Sequence, residues 1–183
     1  MPLCEKIIFS NLKRIRIIDT NKIMLKFQEE KTLIIVKPDA LQRSLLGEII
    51  SRFEKKGLKI IGLKMIQLED ILLDEHYCHH KGKPFFESLK NFMKSSPVAV
   101  MALSGLNAVS AVRLIVGPTK GYEADAGSIR GDFSISGQAN IVHASDSAAA
   151  AETEIKRFFK NEELFNYKKV DYEFVYGEEE RKN

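Results

Sequence analysis

The stretch Thr32-Leu33-Ile34-Ile35-Val36-Lys37-Pro38-Asp39 reads as a buried strand opening into a loop. A short run of β-branched and apolar side chains carries no polar break, and the proline then forbids further ladder pairing. Working outward, Leu46, Ile49, Ile50 and Phe53 recur at i, i+3, i+4 and i+7, with Arg52, Glu54, Lys55 and Lys56 opposite and Gly57 as a left-handed stop. That is an amphipathic helix. Leu58 to Leu68 alternates as a second strand, and Asp70 is the expected cap of a helix running to about His80, broken by Gly82 and Pro84. Phe85 to Met93 reads as another short helix, Pro97 to Leu103 as a third strand, and Asn107 to Val116 as a helix closed by Gly117-Pro118. From Gly117 to Gly131 four glycines, one proline and little periodicity mark a functional loop. Asn140 to Ala144 is the fourth strand, and Ser145-Asp146-Ser147 caps a helix whose Ala148, Ala151, Ile155 and Phe158 face inward.

The order βαββαβ with an inserted helical hairpin specifies the fold class α+β. It is the split βαβ, ferredoxin-like sandwich: a four-stranded antiparallel sheet with helices on one face. The length of 183 residues suits one domain, here 31–177, with an extension at 1–30 of unknown role and a charged tail at 178–183. With 44% apolar and 29% charged residues, the chain can bury a core and fold alone. Lys and Arg exceed Asp and Glu by only three and are scattered, so composition does not indicate nucleic acid. Two cysteines, Cys4 and Cys78, cannot build a disulfide framework, which favours a reducing, cytoplasmic setting. The longest apolar run, Pro97 to Leu103, falls far short of the roughly 18 residues of a membrane span.

Residues 1–30 carry Lys13, Arg14, Arg16, Lys22 and Lys26 among apolar residues, with Glu5 and Asp19 as the acids before Gln28. Organelle targeting is one reading, opposed by the absence of a Ser-rich, acid-free composition and of a small-residue cleavage site. A start at Met24 is another.

Of the four histidines, three crowd into His76-Tyr77-Cys78-His79-His80-Lys81. On a helix His76 and His80 would lie one turn apart, but a zinc site wants three or four ligands, and a solvated polar helix face is the favoured reading. His143 differs. It ends an apolar strand just before a helix start, where amide donors and the positive dipole end favour a nearby phosphate and disfavour a protonated imidazole. Ser145 follows in the turn and Glu154 about two turns on. A carboxylate that accepts a proton from one ring nitrogen fixes the tautomer and leaves the other lone pair free to attack. The alternative is a structural, hydrogen-bonding histidine and a solvated glutamate.

The segments Val36-Lys37-Pro38-Asp39-Ala40, Gly117-Pro118-Thr119, Ile129-Arg130-Gly131-Asp132-Phe133 and Asn140-Ile141-Val142-His143-Ala144-Ser145-Asp146-Ser147 together resemble the nucleoside diphosphate kinase family, from about Lys31 to Tyr176. The resemblance implies a ping-pong phosphotransferase. It would move the γ-phosphate of ATP or another nucleoside triphosphate onto nucleoside diphosphates through a phosphohistidine, maintaining triphosphate pools. His143 matches the nucleophile, and Glu154 and Ser145 match the groups that orient it. Arg113, Thr119 and Arg130 match phosphate-binding positions, with Tyr77 and His80 beside them. Lys37 and Asn140 match the groups on the ribose 3′-hydroxyl, and Phe85 the aromatic plate under the base. Singly, Lys37 could be a solvated loop lysine, Phe85 a core aromatic, Arg113 a helix-face charge and Arg130 a structural tether.

The family also implies Mg²⁺ held by nucleotide phosphates, with no dedicated protein cage, and a homohexamer, or a tetramer, using the loop around Gly121 and the segment Tyr167 to Tyr176. Gly121 and Ala126 stand where relatives commonly carry proline, so the loop is expected to be looser, and Gly121→Pro to stabilise it if the backbone there already sits near the φ of about −65° that proline needs. Gly137 replaces an aliphatic residue opposite the base, and Gln138-Ala139 replaces a common Gly-Arg, so base affinity is expected to be lower. A single-strand nucleic-acid module on the same fold lacks its aromatic strand signature here. An inactive scaffold is opposed by the intact His143 and its cradle.

Overall fold

The structure, a computed structural model, describes residues 29–181. Of the extension expected at 1–30, Glu29 and Glu30 instead begin β1, and the readings of organelle targeting and a start at Met24 lie outside the described residues. The strands β1 (Glu29–Val36), β2 (Lys59–Ile66), β3 (Val98–Leu106) and β4 (Val142–Ala144) form one sheet in the order β2-β3-β1-β4, with every neighbouring pair antiparallel. The helices are α1 (Pro38–Gln42), α2 (Leu46–Lys55), α3 (Asp70–His76), α4 (Phe86–Lys94), α5 (Ala108–Val116), α6 (Ile129–Phe133), α7 (Ala148–Phe158) and α8 (Tyr172–Val175). This is the expected ferredoxin-like α+β arrangement, except that helices cover both faces of the sheet and not one, because the inserted hairpin and α7 bury the second face.

The two helices of the βαββαβ core, α2 and α5, lie on one face, where Ile49, Phe53, Val112 and Val116 pack on Ile34, Val36, Met101 and Leu103. The opposite face is covered too. Leu73 of α3, Leu89 and Met93 of α4, and Ile155 and Phe158 of α7 pack on Leu33, Ile35, Val98 and Val100. The hairpin and the last long helix thus make a second layer, which explains why β1 and β3 read as unbroken apolar runs rather than alternating ones.

Several boundaries differ from expectation, each for a local reason. Pro38 does not merely end β1; it occupies the first turn of α1, where its missing N–H costs nothing. Asp70 is the first residue of α3 and not its cap: its carboxylate accepts from Lys94 Nζ at 2.7 Å, and the helix ends at His76, followed by a 3-10 turn over Cys78–His80. The fourth strand is shortened from Asn140–Ala144 to Val142–Ala144 because Ile141 adopts a left-handed φ of 73°. Ser147 caps α7, accepting from the Ala150 amide at 3.2 Å, and Ala148 points to solvent while Ala151, Ile155 and Phe158 are buried. Gly57 has the expected positive φ, 95°, and its missing side chain also leaves room for Val175 of α8.

The 117–131 loop is not loosened at Gly121. A Cβ there would come 2.3 Å from the Ser134 carbonyl oxygen, and the Gly121 amide donates to Ser136 O at 3.1 Å. Glycine lets two backbone segments close on each other, and proline would both clash and remove the donor. The expected gain from Gly121→Pro is therefore reversed.

Candidate active site

A cleft of about 980 Å³ runs between the α3–α4 hairpin, the loop before β4, and the β4–α7 connection. Lys37, Tyr77, His80, Phe85, Arg113 and Thr119 line it, as do Arg130, Asn140, His143 and Glu154. Ser145 lies beneath it, fully buried. All the residues singled out from the sequence therefore meet in one place.

His143 is the middle residue of β4, paired with Ile35 of β1. Its Nε2 lies 3.0 Å from Glu154 Oε1 on α7, and the other carboxylate oxygen accepts from Ser145 Oγ at 2.6 Å. Ser145 is itself pinned to β1, since its Oγ accepts from the Leu33 amide at 3.1 Å and its own amide donates to Leu33 O. Ser145 thus reaches His143 through Glu154 rather than directly. Burial alone would raise the Glu154 carboxyl, but the hydrogen bonds and charge of His143 and Ser145 outweigh it and hold it below the usual carboxylate range. An ionised Glu154 can only accept, so His143 carries its proton on Nε2 and keeps its lone pair on Nδ1.

The polar wall of the cleft is built by Lys37 at the end of β1 and by the loop before β4. Lys37 Nζ, 7% exposed, donates to Asn140 Oδ1 at 2.5 Å and to Gln138 O at 3.4 Å; Asn140 Nδ2 donates to Thr119 O at 2.7 Å and Gly137 O at 2.9 Å. Ile141 carries the cost of this turn. A β-branched residue at φ 73° stores about 1–3 kcal/mol of strain. It is clamped by its amide donating to Asp39 Oδ2 at 3.0 Å and its carbonyl accepting from the Lys37 amide at 2.9 Å. Burial, with the Arg130 charge adding to it, lowers the Lys37 ammonium to about 8.

Arg130 on α6 is 3% exposed and donates to three carbonyls: Nε to Asn140 O, Nη1 to Gly117 O and Nη2 to Val142 O. It tethers the loop to β4 and keeps two of its five N–H groups for other acceptors. Burial, and then Arg113, lower it to about 10. Arg113 is half-buried and makes no hydrogen bond or ion pair with the described residues, so its fork is uncommitted in the cleft.

On the other wall Phe85 is 45% exposed with its ring edge-on to His80, and Tyr77 stacks parallel to His80 at 6.2 Å. Lys83 Nζ lies 3.0 Å from His80 Nδ1, and burial with the His79 and Lys83 charges lowers the His80 imidazole. Burial raises the Tyr77 hydroxyl, as does Glu154. A Cβ at Gly137 would meet only the Lys120 side chain, in ordinary contact at 3.9 Å, and Gln138 Nε2 donates to Ser88 Oγ across the cleft at 3.4 Å.

His76 corrects the sequence reading. It is not on a solvated face but 5% exposed, with its ring edge-on to His143 at 4.7 Å between centroids. Burial, then the His143 charge, push it down to about 3. The signal in the sequence was its spacing from Leu73, which puts both on the buried side of α3. Nor does it pair with His80; the ligand atoms of His76, His143 and Glu154 lie within 4.8 Å of one another. Two imidazoles and one carboxylate suit a zinc-like ion rather than a hard cation. Of the carboxylates lining the cleft, Glu75 is taken by Arg157 and Glu154 by His143, while Asp146 is exposed and uncommitted among the described residues.

A family model described as nucleoside diphosphate kinase matches residues 30–164. The chain belongs to the nucleoside diphosphate kinase family. It is 51% identical over 151 residues to a nucleoside diphosphate kinase of Parabacteroides distasonis, covering 82% of this chain and 99% of that one. With the Thermococcus kodakarensis nucleoside diphosphate kinase the identity is 54% over 146 residues, 78% of this chain and 84% of the relative. Among solved structures, a halophilic family member from Halobacterium salinarum in complex with CDP superposes with a TM-score of 0.80 at 39% identity, covering 82% of this chain and all of that one. Members of the family are phosphotransferases that act on nucleotides. No helix of the described residues is long and apolar enough to cross a membrane.

Proposed function

We propose that the protein transfers the γ-phosphoryl group of ATP or another nucleoside triphosphate to nucleoside diphosphates through phospho-His143, maintaining cytoplasmic triphosphate pools. The observation that carries this reading is the His143–Glu154–Ser145 relay opening onto a cationic, nucleotide-sized cleft. The Halobacterium salinarum relative holds CDP, which supports nucleoside diphosphates as the ligand class.

In the first half-reaction His143 Nδ1 attacks the γ-phosphorus in line, a P–N bond forms, and the bond to the β-phosphate bridging oxygen breaks. The diphosphate leaves carrying the electron pair. Glu154 stabilises the ring as it gains positive charge. Arg113 and the two free N–H groups of Arg130 hold phosphate oxygens, with Thr119 beside them, which is positioning and charge stabilisation rather than covalent help. Lys37 and Asn140 hold the ribose 3′-hydroxyl near the leaving oxygen, while Phe85, with Tyr77 and His80 behind it, supports the base face. Stacking leaves the base edge unread, so acceptance is broad. In the second half-reaction a different diphosphate reverses each step.

Mg²⁺ supplies charge neutralisation between the β- and γ-phosphates when bound. The donor set fits a cation that arrives on the nucleotide, because Asp146 is the cleft carboxylate with no partner among the described residues. A homohexamer is supported by exposed apolar side chains where contacts are expected, Tyr122 and Ile135 near the loop and Val170 and Phe174 near the C-terminus. Initial rates with ATP and GDP test the mechanism. Parallel double-reciprocal lines and no exchange in His143→Ala are expected; intersecting lines with activity in His143→Ala would overturn it.

A further inference from the structure

Helix α7 carries Glu154 and Arg157 three residues apart, a spacing at which an acid and a guanidinium meet on one helix face. They do not pair here. Arg157 instead reaches across to α3, where its Nε donates to Glu75 Oε1 at 2.8 Å and its Nη1 lies 3.4 Å from His76 Nδ1. That same Nδ1 is 3.9 Å from Glu154 Oε1, so the His76 ring stands between the two. The ring is held by edge-on contacts with His143 at 4.7 Å and Phe158 at 5.1 Å between centroids. Because Arg157 can only donate, it is the lone pair of His76 that faces it.

We propose that His76 is a positioning residue for the phosphoryl-carrying histidine: with Glu75 it holds Arg157 away from Glu154, leaving both carboxylate oxygens to His143 and Ser145. This rests on the reading of His143 as the phosphoryl carrier. A guanidinium fork on Glu154 would be a charge-assisted, bidentate competitor for the oxygen that His143 Nε2 needs. Released from Glu154, the imidazole is free to move its proton to Nδ1, and that tautomer has no lone pair to attack with. The arrangement also fits the burial that keeps His76 uncharged, since a protonated ring would itself compete for Glu154 Oε1.

His76→Phe keeps the ring packing and removes the acceptor; His76→Gln keeps an acceptor. In exchange assays with ATP and GDP, His76→Phe should lower kcat about tenfold with KM changed less than about twofold, because orientation rather than binding is lost. Arg157→Met should stay close to the parent, and His76→Phe with Arg157→Met should recover most of the lost kcat, a coupling that a packing role would not produce. His76→Gln should remain nearer the parent than His76→Phe. ¹⁵N spectra of the His143 ring should show the Nε2–H tautomer falling in His76→Phe and returning in the double variant. Parental kcat in His76→Phe, or a defect unchanged by removing Arg157, would overturn the proposal. Should His76→Phe not fold, Glu75→Gln, at an exposed position, releases the other anchor of Arg157 and carries the same expectation of loss and recovery. A parent protein that takes no phosphate onto His143 would instead overturn the functional reading on which the proposal rests.

Discussion

Arg130 spends three of its N–H groups on the carbonyls of Gly117, Asn140 and Val142, whereas Arg113 spends none on the described residues. The same charge therefore has different consequences when removed. Arg130→Met should cost at least about 2–3 kcal/mol in urea unfolding, since buried carbonyls lose their donor at about 1–3 kcal/mol each. Arg113→Met should lower turnover with the midpoint unchanged, and a matching loss of stability there would contradict its assignment to phosphate. Glu154→Gln should lower kcat at least about tenfold with little change in KM, because it removes the charge that supports the reacting ring. Lys37 gives a pH signature. Its folded value of about 8 lies below the ordinary 10.5, so the free protein binds fewer protons than the unfolded chain in between. The cost of the buried charge is present in full below pH 8 and fades as pH rises toward 10.5. Nucleotide phosphates would restore the charge, so ADP binding at pH 8 should take up protons, seen as buffer-dependent heats in calorimetry and weakened in Lys37→Met. Equal heats in all buffers would contradict it.

At the scale of elements, the loop that the sequence marked as functional is held by its own backbone. Gly121→Pro should lower the urea midpoint by forcing Ser134 away and deleting the bond to Ser136, and a raised midpoint would refute this packing. Ser128 caps α6 by accepting from the Gly131 amide, while its hydroxyl donates to Asp125 O. Ser128→Ala should cost about 1 kcal/mol and some turnover, because α6 carries Arg130. The strands and the long helices were legible because burial writes its period into Leu46, Ile49 and Phe53 or into the run Leu33 to Val36. The short helices α1, α6 and α8 were not, since four or five residues carry no period. The left-handed turn at Ile141 was hidden for a different reason: isoleucine disfavours that conformation, and only the clamp by Asp39 and Lys37 imposes it. The residues that gather in the cleft were legible through the family motif, while the burial of His76 depended on its packing against α7, more than seventy residues away.

Across the whole molecule, the sheet is closed on both faces, so the cleft lies at the ends of elements and not on the sheet surface. That geometry leaves the apolar side chains at Val170 and Phe174 without cover in one chain. Light scattering should give the mass of a hexamer, and Phe174→Glu should yield smaller species. A monomeric parent would contradict the proposed assembly.

The central claim is that His143 carries the phosphoryl group. Mixing the protein with ATP and Mg²⁺ and measuring intact mass should show one added phosphate per chain. It should be acid-labile, discharged by GDP and missing from His143→Ala. A protein that stays unmodified while still exchanging phosphate, or that keeps the phosphate in His143→Ala, would contradict the account.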